Sequence, residues 1–410
     1  MPAHSPSARA RHALDALNFT LADVRDGLGP YLAIYLIAVR GPQEGWNEAT
    51  AGLVMTLAGI AGLVAQTPAG ALIDRTRGKR GLLLAATLVV TLCCVTLPWV
   101  SDFWVVATTQ SLAQIAGAVF APALAAITLG IVGAKHFTGH IGRNEGFNHA
   151  GNAFSAALAA GLAYLFGPSV VFWLMAGLAV ASVLAIWRLP ADEIDDDLAR
   201  GIAAEQQDHA PVSAWQALLS NRKLMLLAVL AALFHLANAA MLTSVGQQLT
   251  HIVGKSSATS LIALCIVAAQ CVMVPVAIAV GRCADRVGRK PIFLLAFAIL
   301  ALRGGLYTLS PNPWYLVAVQ CLDGVGAGIY GALMPVVISD LTHGSGRFNV
   351  SQGAIATAQG LGAALSASLA GLIIVGVGYE AAFLALAAVA VVGGLLYAWR
   401  MPETAPANAG

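Results

Sequence analysis

Twelve mostly apolar segments follow one another along the chain, each of about 20 residues or more, the length that a helix needs to cross the hydrocarbon core of a bilayer. The strands of a membrane β-barrel would be shorter and would alternate in polarity, which these segments do not. The pattern therefore predicts an all-α membrane protein with twelve transmembrane helices. The segments, whose ends are approximate, are 18–39, 47–72, 81–99, 104–133, 145–166, 170–188, 224–250, 257–280, 291–309, 314–337, 350–374 and 379–400.

The composition excludes a soluble globular fold. Of the 410 residues, 58% are hydrophobic and 10% are charged, whereas about a quarter of the residues in soluble domains are charged. A soluble protein with so few charges could not cover its surface with polar groups. Residues 1–16 include Arg9, Arg11 and Asp15, so they lack the apolar core of a secretory signal.

Lysine and arginine are distributed unevenly between the loops, and this predicts the orientation. All but four of the 22 basic residues lie on the side that holds both termini and the loops after the even-numbered segments. Because cytoplasmic loops are enriched in Lys and Arg, we expect an inner-membrane protein with both termini in the cytoplasm. Tryptophans near the segment ends are expected at the membrane interface: Trp46, Trp99, Trp104, Trp173, Trp187, Trp314 and Trp399.

The chain also repeats itself. GALIDRTRGKR from Gly70 returns 211 residues later as GRCADRVGRKP from Gly281, and QSLAQIAGAVFAPAL from Gln110 resembles QCLDGVGAGIYGALMP from Gln320. Such a duplication predicts two pseudo-symmetric six-helix halves around a central cavity, as in alternating-access transporters. The predicted parts are a cytoplasmic tail (1–16), an N-terminal half (17–188), a cytoplasmic linker (189–222), a C-terminal half (223–400) and a cytoplasmic tail (401–410).

The linker is the one long hydrophilic connection, and its ADEIDDDLARGIAAEQQDH run is acidic. Two interpretations stay open. It could be a solvated connection between the halves, or it could be a regulatory or partner-binding segment.

The duplicated loops carry a resemblance to the major facilitator superfamily, and that resemblance extends over essentially the whole chain. The second copy follows the family pattern Gly-x-x-x-Asp-Arg-x-Gly-Arg-Lys throughout, whereas the first has Arg77-Gly78 in reversed order. The resemblance implies the fold of that superfamily and a cytoplasmic gate, in which acids and bases at helix ends exchange partners. The alternative is a charged turn that only fixes the topology. The gate residues it implies are Gly70, Asp74, Arg75, Gly281, Asp285, Arg286, Gly288 and Arg289.

Helices one, four, seven and ten line the cavity in this superfamily, so the resemblance implies that their polar residues meet there. Together with polar residues of the fifth segment, the predicted substrate-binding set is Arg25, Gln110, Gln114, Asn148, Asn152, His235, Asn238, Gln320 and Asp323. Gln110 occupies the place at which many proton-coupled drug exporters of the superfamily carry a buried arginine. Arg303 in the ninth segment is expected to pair with an acid or to extend towards the interface.

Asp23, Arg25 and Asp26 lie in the first apolar segment, where charges are costly and usually face a bundle interior or a watery cavity. Asp23 and Asp26 share one helix face, and Arg25 points elsewhere. The acids could take up and release a proton, or the three residues could form a permanent ion-paired cluster that fixes helix packing. We expect at least one of the acids to act in proton coupling.

The fifth segment begins with a polar stripe, because Glu145, His149 and Asn152 recur at helical spacing. This pattern favours a proton relay that joins Asp23 or Asp26 to Glu145 and His149. A metal site formed by the Glu-x-x-x-His pair and a hydrogen-bonded contact between helices are the alternatives.

The sequence therefore predicts a secondary transporter, not an enzyme, that moves a small organic solute, with protons as coupling ion and export as the slightly preferred direction. We expect no cofactor, no bound metal, no nucleic-acid partner and a monomer. Phosphate-binding loops, metalloprotease motifs and nucleophile elbows are missing from the sequence, so an ion gradient is the expected energy source. The alternatives are an exporter of a transition metal or metal chelate and, from another class, a non-transporting membrane sensor or scaffold.

Overall fold

The computed structural model describes residues 7–26, 32, 35–167, 169–202 and 221–405, and within these ranges all regular structure is helical. The long helices are α1 (Ala8–Asp26), α2 (Glu48–Arg75), α3 (Lys79–Val95), α4 (Phe103–Gly117), α5 (Phe120–Phe166), α6 (Val170–Arg188), α7 (Arg222–Val253), α8 (Lys255–Val287), α9 (Arg289–Leu306), α10 (Pro313–Thr342), α11 (Phe348–Gly376) and α12 (Tyr379–Arg400).

Nine helical stretches in the described part of the chain are long and apolar enough to cross a membrane. One of them, Phe103–Ala163, covers two predicted segments, 104–133 and 145–166. Helices α1 and α9 overlap the predicted segments 18–39 and 291–309 but are not among the nine. An all-helical membrane protein is thus confirmed, whereas the number of twelve crossings stays a prediction.

Two local differences from the sequence-based expectation concern the first and fifth segments. Helix α1 begins at Ala8, ten residues before the predicted start, so that Asp23 and Arg25 lie in its last described turns. The predicted loop 134–144 is helical and continues α5 after a break at Gly133, whose φ of 67° and ψ of 167° are not helical. Glycine adopts this left-handed φ without the steric cost that other residues meet, so a single residue re-aims the helix.

The described residues divide into two compact units. The first comprises residues of 1–134, 147–209 and 344–353, and the second comprises residues of 135–146, 210–343 and 354–410. The boundaries that fall inside helices lie in α5 and α11. Residues 135–146 of α5 belong to the second unit, and residues up to 353 of α11 belong to the first. The predicted division at the linker stays a prediction.

Helices pair in the same pattern inside both units. In the first, α1 packs on α6, α2 packs on α4, and α3 packs on α4 and α6. In the second, α7 packs on α12, α8 packs on α10, and α9 packs on α10 and α12. Each pair of the second unit lies six helices after its counterpart, so the repeat seen in the sequence is also a repeat of packing.

The first part of the linker packs against the first unit. Leu189 and Ala199 are fully buried, and the backbone N–H of Asp195 donates to the carbonyl oxygen of Gly130 at 3.1 Å. Residues 203–220 of the linker lie outside the described residues. Residues 189–202 are therefore partly packed, whereas Ala191, Asp192, Asp195 and Asp197 within them stay exposed.

Six of the seven tryptophans expected at the membrane interface have at least 60% of their surface exposed. Trp46 is the exception, since it is 7% exposed. Its ring stacks on Phe103 at a centroid distance of 6.0 Å, and its indole N–H donates to the carbonyl oxygen of Ser101. These contacts place it inside the fold.

Candidate functional site

A cavity of about 180 Å³ lies within the first unit, among α1, α2, α3 and α4. It brings together three of the predicted substrate-binding residues: Arg25, Gln110 and Gln114. Apolar side chains complete the wall, among them Met55 and Val90. This combination of apolar walls with a few convergent polar groups is typical of small-molecule sites.

The glutamines of this cavity are held by the packing of α4. Gln110 is 5% exposed, and its amide nitrogen lies 3.5 Å from the carbonyl oxygen of Cys93 on α3. Gln114 lies against Gly62 of α2, where an added Cβ would stand 3.1 Å from the Cβ of Gln114. The absence of a side chain at Gly62 lets α2 and α4 approach each other closely.

Helix α1 also lies against the second part of α5. The rings of Phe19 and Phe154 are 5.5 Å apart, and a Cβ added at Gly151 would stand 3.0 Å from that of Ala22. On this part of α5, Asn148 and His149 are buried and Asn152 is half-buried.

Asp23 is half-buried on α1, whereas the side chain of Asp26 lies outside the described residues. Glu145 belongs to the second unit, and its carboxylate lies 3.6 Å from the place that a Cβ on Gly331 would occupy. The proton relay through these residues and His149 therefore stays a prediction.

Polar residues of α7, α9 and α10 form a buried network in the second unit. The guanidinium of Arg303 forms an ion pair with Asp323 and donates to the side-chain oxygen of Asn238 at 2.6 Å. The carboxylate of Asp323 also accepts from the amide of Gln320 at 3.1 Å, and Gln320 accepts from the hydroxyl of Tyr307. The expectation that Arg303 pairs with an acid is confirmed. The negative charge of Asp323 is neutralised by this pair.

His235 lies one turn before Asn238 on α7. Its Nδ1 lies 3.1 Å from the carbonyl oxygen of Ala231, and its ring packs edge-on against Tyr330 at 5.0 Å. The phenol of Tyr330 accepts a hydrogen bond of 2.5 Å from the amide of Gln359. His235 is thus placed by an aromatic contact and a backbone group.

Asp74, in the first copy of the duplicated loop, caps the amino end of α11. Its carboxylate accepts from the backbone N–H of Val350 at 2.8 Å and from the side-chain amide of Asn349, also at 2.8 Å. The first N–H groups of a helix have no partner within it, and this carboxylate satisfies those of Asn349 and Val350. The same side-chain amide of Asn349 donates to the carbonyl oxygen of Ala199 in the linker at 2.9 Å.

The second copy of the loop is organised around Arg289, which is 2% exposed. Its guanidinium lies 2.8 Å from Asp285 and 3.1 Å from Asp340 of α10, and it donates to the hydroxyl of Thr138 at 3.1 Å. Gly288 precedes α9 with a φ of 96°. Arg75 and Arg286, which the resemblance also places in the gate, are exposed.

The reversed order Arg77-Gly78 in the first copy has a simple structural consequence. Gly78 stands directly before α3 just as Gly288 stands directly before α9, so Lys79 takes the position of Arg289 as first helical residue. Lys79 is 1% exposed, and its ammonium group pairs with Asp196 of the linker at 2.8 Å. Both copies therefore bury a basic residue at a helix start and neutralise it with an acid from elsewhere in the chain.

A close approach of two helices at glycine residues also occurs in both copies of the repeat. A Cβ added at Gly70 of α2 would stand 2.9 Å from the Cα of Val350 on α11. A Cβ added at Gly281 of α8 would stand 2.9 Å from the Cα of Gly142 on α5. Gly142 and Gly353 are 211 residues apart, as are Gly70 and Gly281, and Gly353 lies equally close to the backbone of Thr67 on α2. The two copies thus make the same close helix crossing.

Sequence reasoning missed the partners in these contacts. Asn349 and Asp340 were not singled out, and neither was the ion pair between Lys79 and Asp196. One available signal was the 211-residue offset, which relates Gly142 to Gly353 and Thr138 to Asn349. In the described part of the chain, no group of three or more His, Cys, Asp or Glu side chains could hold a metal ion.

Comparison with known proteins places these features in a family. Residues 15–279 and 236–410 match the model of the Major Facilitator Superfamily. Two Mycobacterium tuberculosis proteins, named uncharacterized MFS-type transporters MT2531 (strain CDC 1551 / Oshkosh) and Rv2456c (strain ATCC 25618 / H37Rv), are 54% identical to the chain over 397 residues, which cover 97% of this chain and 94% of theirs.

Two further matches are more distant. The inner membrane transport protein YajR of Escherichia coli K12 is 31% identical over 124 residues, which cover 30% of this chain and 27% of that protein. The crystal structure of the human organic anion transporter MFSD10 (TETRAN) superposes with a TM-score of 0.71 at 17% identity, over 96% of this chain and 100% of that one. At that identity the likeness concerns the fold alone.

Proposed function

Because the chain belongs to the major facilitator superfamily, we propose that it is a secondary active transporter that moves a small organic, polar or charged solute across the inner membrane by alternating access. Members of this family are transporters and not enzymes. The observation that carries the proposal is the cavity that Arg25, Gln110 and Gln114 line among α1, α2, α3 and α4. A cavity with polar groups among the helices of a membrane protein offers a solute a binding site away from bulk water.

Protons are the coupling ion in this proposal. Asp23, Asp26, Glu145 and His149 are the groups proposed to titrate, since acids within membrane helices are costly and mark proton pathways in transporters. The position of Glu145 close to Gly331 of α10 supports a role at a point where helices meet.

Contacts of the duplicated loops support the gate in this proposal. Asp74 at the amino end of α11 and Arg289 between Asp285 and Asp340 are charged groups with several alternative partners nearby. Such groups can break and re-form contacts at modest cost when helices move. Gly70 and Gly281 would allow the close approach that the closed gate requires.

Export from a cell with both termini in the cytoplasm is the direction and orientation we propose. The distribution of Lys and Arg supports the orientation, and the partial match to a protein named as an inner membrane transport protein supports the location. The human structural neighbour is named an organic anion transporter, which is compatible with a charged organic solute here.

Flux driven by a pH gradient in vesicles of the reconstituted full chain tests this proposal. Pools of small solutes are screened for those that dissipate the gradient in the wild type, and the positive pools are repeated with Asp23→Asn, Asp26→Asn and Glu145→Gln. We expect wild-type flux with at least one pool and loss of coupling in one or more of these variants.

Asp102→Asn is the matched control. Asp102 is an exposed acid that caps α4 through the backbone N–H groups of Trp104 and Val105, and asparagine caps helices about as well as aspartate. This variant should couple normally. If all three test variants also couple normally, the proposed proton groups are wrong, and a wild type that moves no solute under any gradient contradicts transport itself.

A further inference from the structure

Two arginines, Arg25 and Arg303, lie inside predicted membrane segments and away from the segment ends, and their surroundings differ. Arg303 is 1% exposed and is neutralised within the protein by Asp323, with Asn238 as a further partner. Arg25 is half-buried and lines the cavity among α1, α2, α3 and α4. Within the described ranges, Arg25 has no hydrogen-bond or ion-pair partner, and no acid is among the residues that line its cavity.

A guanidinium keeps its charge at any physiological pH, so Arg25 cannot lower its cost by releasing a proton. A charge that is taken out of bulk water without a partner is costly, and it is usually retained where it serves binding. The comparison with Arg303 shows that this chain does neutralise a membrane arginine where the arginine is structural. Among the described residues, Arg25 borders the cavity and not an acid.

The rest of the cavity wall narrows the class of ligand. The side-chain amides of Gln110 and Gln114 can donate hydrogen bonds, whereas Met55 and Val90 offer apolar surface. A volume of about 180 Å³ limits the ligand, or the part of it that enters, to a small group. The wall therefore suits a compact anionic head attached to an apolar body.

We propose that the solute is an organic anion, and that its carboxylate or similar anionic group pairs with Arg25 while Gln110 and Gln114 donate hydrogen bonds to it. The planar fork of a guanidinium matches a carboxylate in two parallel hydrogen bonds. This inference rests on the proposed transport function and adds the charge of the solute to it.

Equilibrium binding to the full chain in nanodiscs of phosphatidylcholine tests this inference. The probes are benzoate, which is anionic at neutral pH, the neutral analogue benzamide and the cationic analogue benzylamine. We expect the wild type to bind benzoate at least about tenfold more tightly than either analogue. The preference for benzoate is measured on the wild-type protein alone, so it tests the proposal even if a variant fails to fold.

Variants then assign the preference to Arg25. Arg25→Gln should weaken benzoate binding about tenfold or more, and Arg25→Lys, which keeps the charge but loses the fork, should weaken it less. Arg11→Gln removes an exposed arginine from the same helix and should leave binding unchanged. The proposal is overturned if the wild type binds benzamide or benzylamine as tightly as benzoate, or if Arg25→Gln keeps the preference.

A lipid headgroup could supply the same anionic chemistry, so the titration is repeated in nanodiscs that contain phosphatidylglycerol. Unchanged benzoate affinity supports a water-soluble anion, whereas loss of binding there assigns the site to lipid and overturns the proposal. Flux assays separate this inference from the proposed function. If gradient-driven flux of a neutral or cationic solute persists in Arg25→Gln, the proposed transport function is supported and the proposal of an anionic solute is overturned.

Discussion

At Arg303, a charge buried in a membrane protein is tolerated because a partner offsets the cost of its desolvation. Its partner Asp323 receives a second hydrogen bond from Gln320, so the pair is embedded in a network whose members support one another. Through this network, three residues predicted to contact substrate, Asn238, Gln320 and Asp323, already have partners within the protein.

Asp323→Asn should lower the free energy of unfolding by about 3–5 kcal/mol, because it leaves Arg303 as an uncompensated buried charge. The measurement is the unfolding midpoint of the purified protein in detergent. The double variant Arg303→Met with Asp323→Leu removes both charges and should recover most of the loss. A double variant no more stable than Asp323→Asn alone would show that the pair does more than neutralise charge.

Asp74 and Asp285 are equivalent in sequence but not in environment. Asp74 is 8% exposed and accepts hydrogen bonds from the start of α11, whereas the side chain of Asp285 is 49% exposed beside Arg289. Asp74→Asn should destabilise by about 1.5–3 kcal/mol, as expected for lost hydrogen bonds to a charged group. Asp285→Asn, the matched control, should cost about 0–1 kcal/mol. Equal losses in the unfolding midpoint would contradict the capping role of Asp74.

Sequence reasoning singles out residues whose chemistry alone marks them and misses residues whose role depends on a partner. Arg303, Asp323, Asp74 and Arg25 stand out as charges in or beside apolar segments. Their partners do not, because Asn349 is an ordinary polar residue until the fold brings it to Asp74. A single sequence carries no record of which distant residues meet, apart from the offset of its internal repeat.

Between helices, the close crossing of α2 and α11 depends on Gly70. Gly70→Ala should destabilise by about 1–3 kcal/mol, because the added Cβ would overlap the backbone of Asn349 and Val350. Gly52→Ala on the same helix meets nothing within 4 Å and should be neutral or stabilising by up to about 1 kcal/mol. Unfolding midpoints compare the two, and a loss in both variants would indicate a general intolerance of α2 instead of a crossing at Gly70.

Helix α9 is capped by the segment that follows α12. The carboxylate of Glu403 accepts from the backbone N–H groups of Arg289 at 2.8 Å and Lys290 at 3.1 Å. Burial raises the pKa of Glu403, but hydrogen bonds from the backbone of Ala405, Arg289, Lys290 and Thr404 outweigh it and lower the pKa below its ordinary value of 4.5.

Because the folded-state pKa of Glu403 is lowered, its stabilising contribution is complete above pH 4.5 and is lost as the pH falls through the lower folded-state value. Glu403→Gln should therefore be less stable than the wild type at neutral pH, and the difference should shrink below pH 4.5. Thermal unfolding of both proteins across that range measures it. A difference that stays constant with pH would show that the charge of Glu403 plays no part.

The length of the apolar segments predicted where the helices are, whereas the residues at which they begin and end are given only by the structure. The apolar run that marks the fifth segment starts at 145, yet α5 already continues from Gly133 through polar residues. A helix that leaves the apolar layer keeps its backbone hydrogen bonds, so hydropathy does not report its end. Likewise, the acidic run after α6 suggested a solvent-exposed linker. In the structure, however, the backbone N–H of Asp195 donates to Gly130, and Asp196 forms an ion pair with Lys79.

For the molecule as a whole, the distribution of basic residues predicts which loops face the cytoplasm. Arg77 follows α2 and Ser101 precedes α4, and both are exposed. Both substitutions are made in a variant without the native cysteines. In intact cells, Ser101→Cys should react with a membrane-impermeant maleimide. Arg77→Cys should react only after the membrane is permeabilised. The reverse pattern would invert the proposed orientation.

The duplication is the feature that the sequence predicted most fully at this scale. The same helix pairs form in both units, and the glycine crossing occurs twice at an offset of 211 residues. The number of membrane crossings is less direct, because Phe103–Ala163 is one continuous helical stretch where two segments were predicted, and α9 includes Arg289, Lys290 and Arg303 among its 18 residues.

The paired crossings also constrain how this sequence can change over generations. Gly70 of the first repeat fits against residues near Gly353 of the second, and Gly281 of the second fits against Gly142 of the first. The atoms nearest to each of these glycines belong to the backbone of the other repeat, so a change of side chain there cannot make room for a bulkier residue. Each crossing point therefore requires glycine because of the main chain that it meets, whichever residues occupy the cavities and the linker.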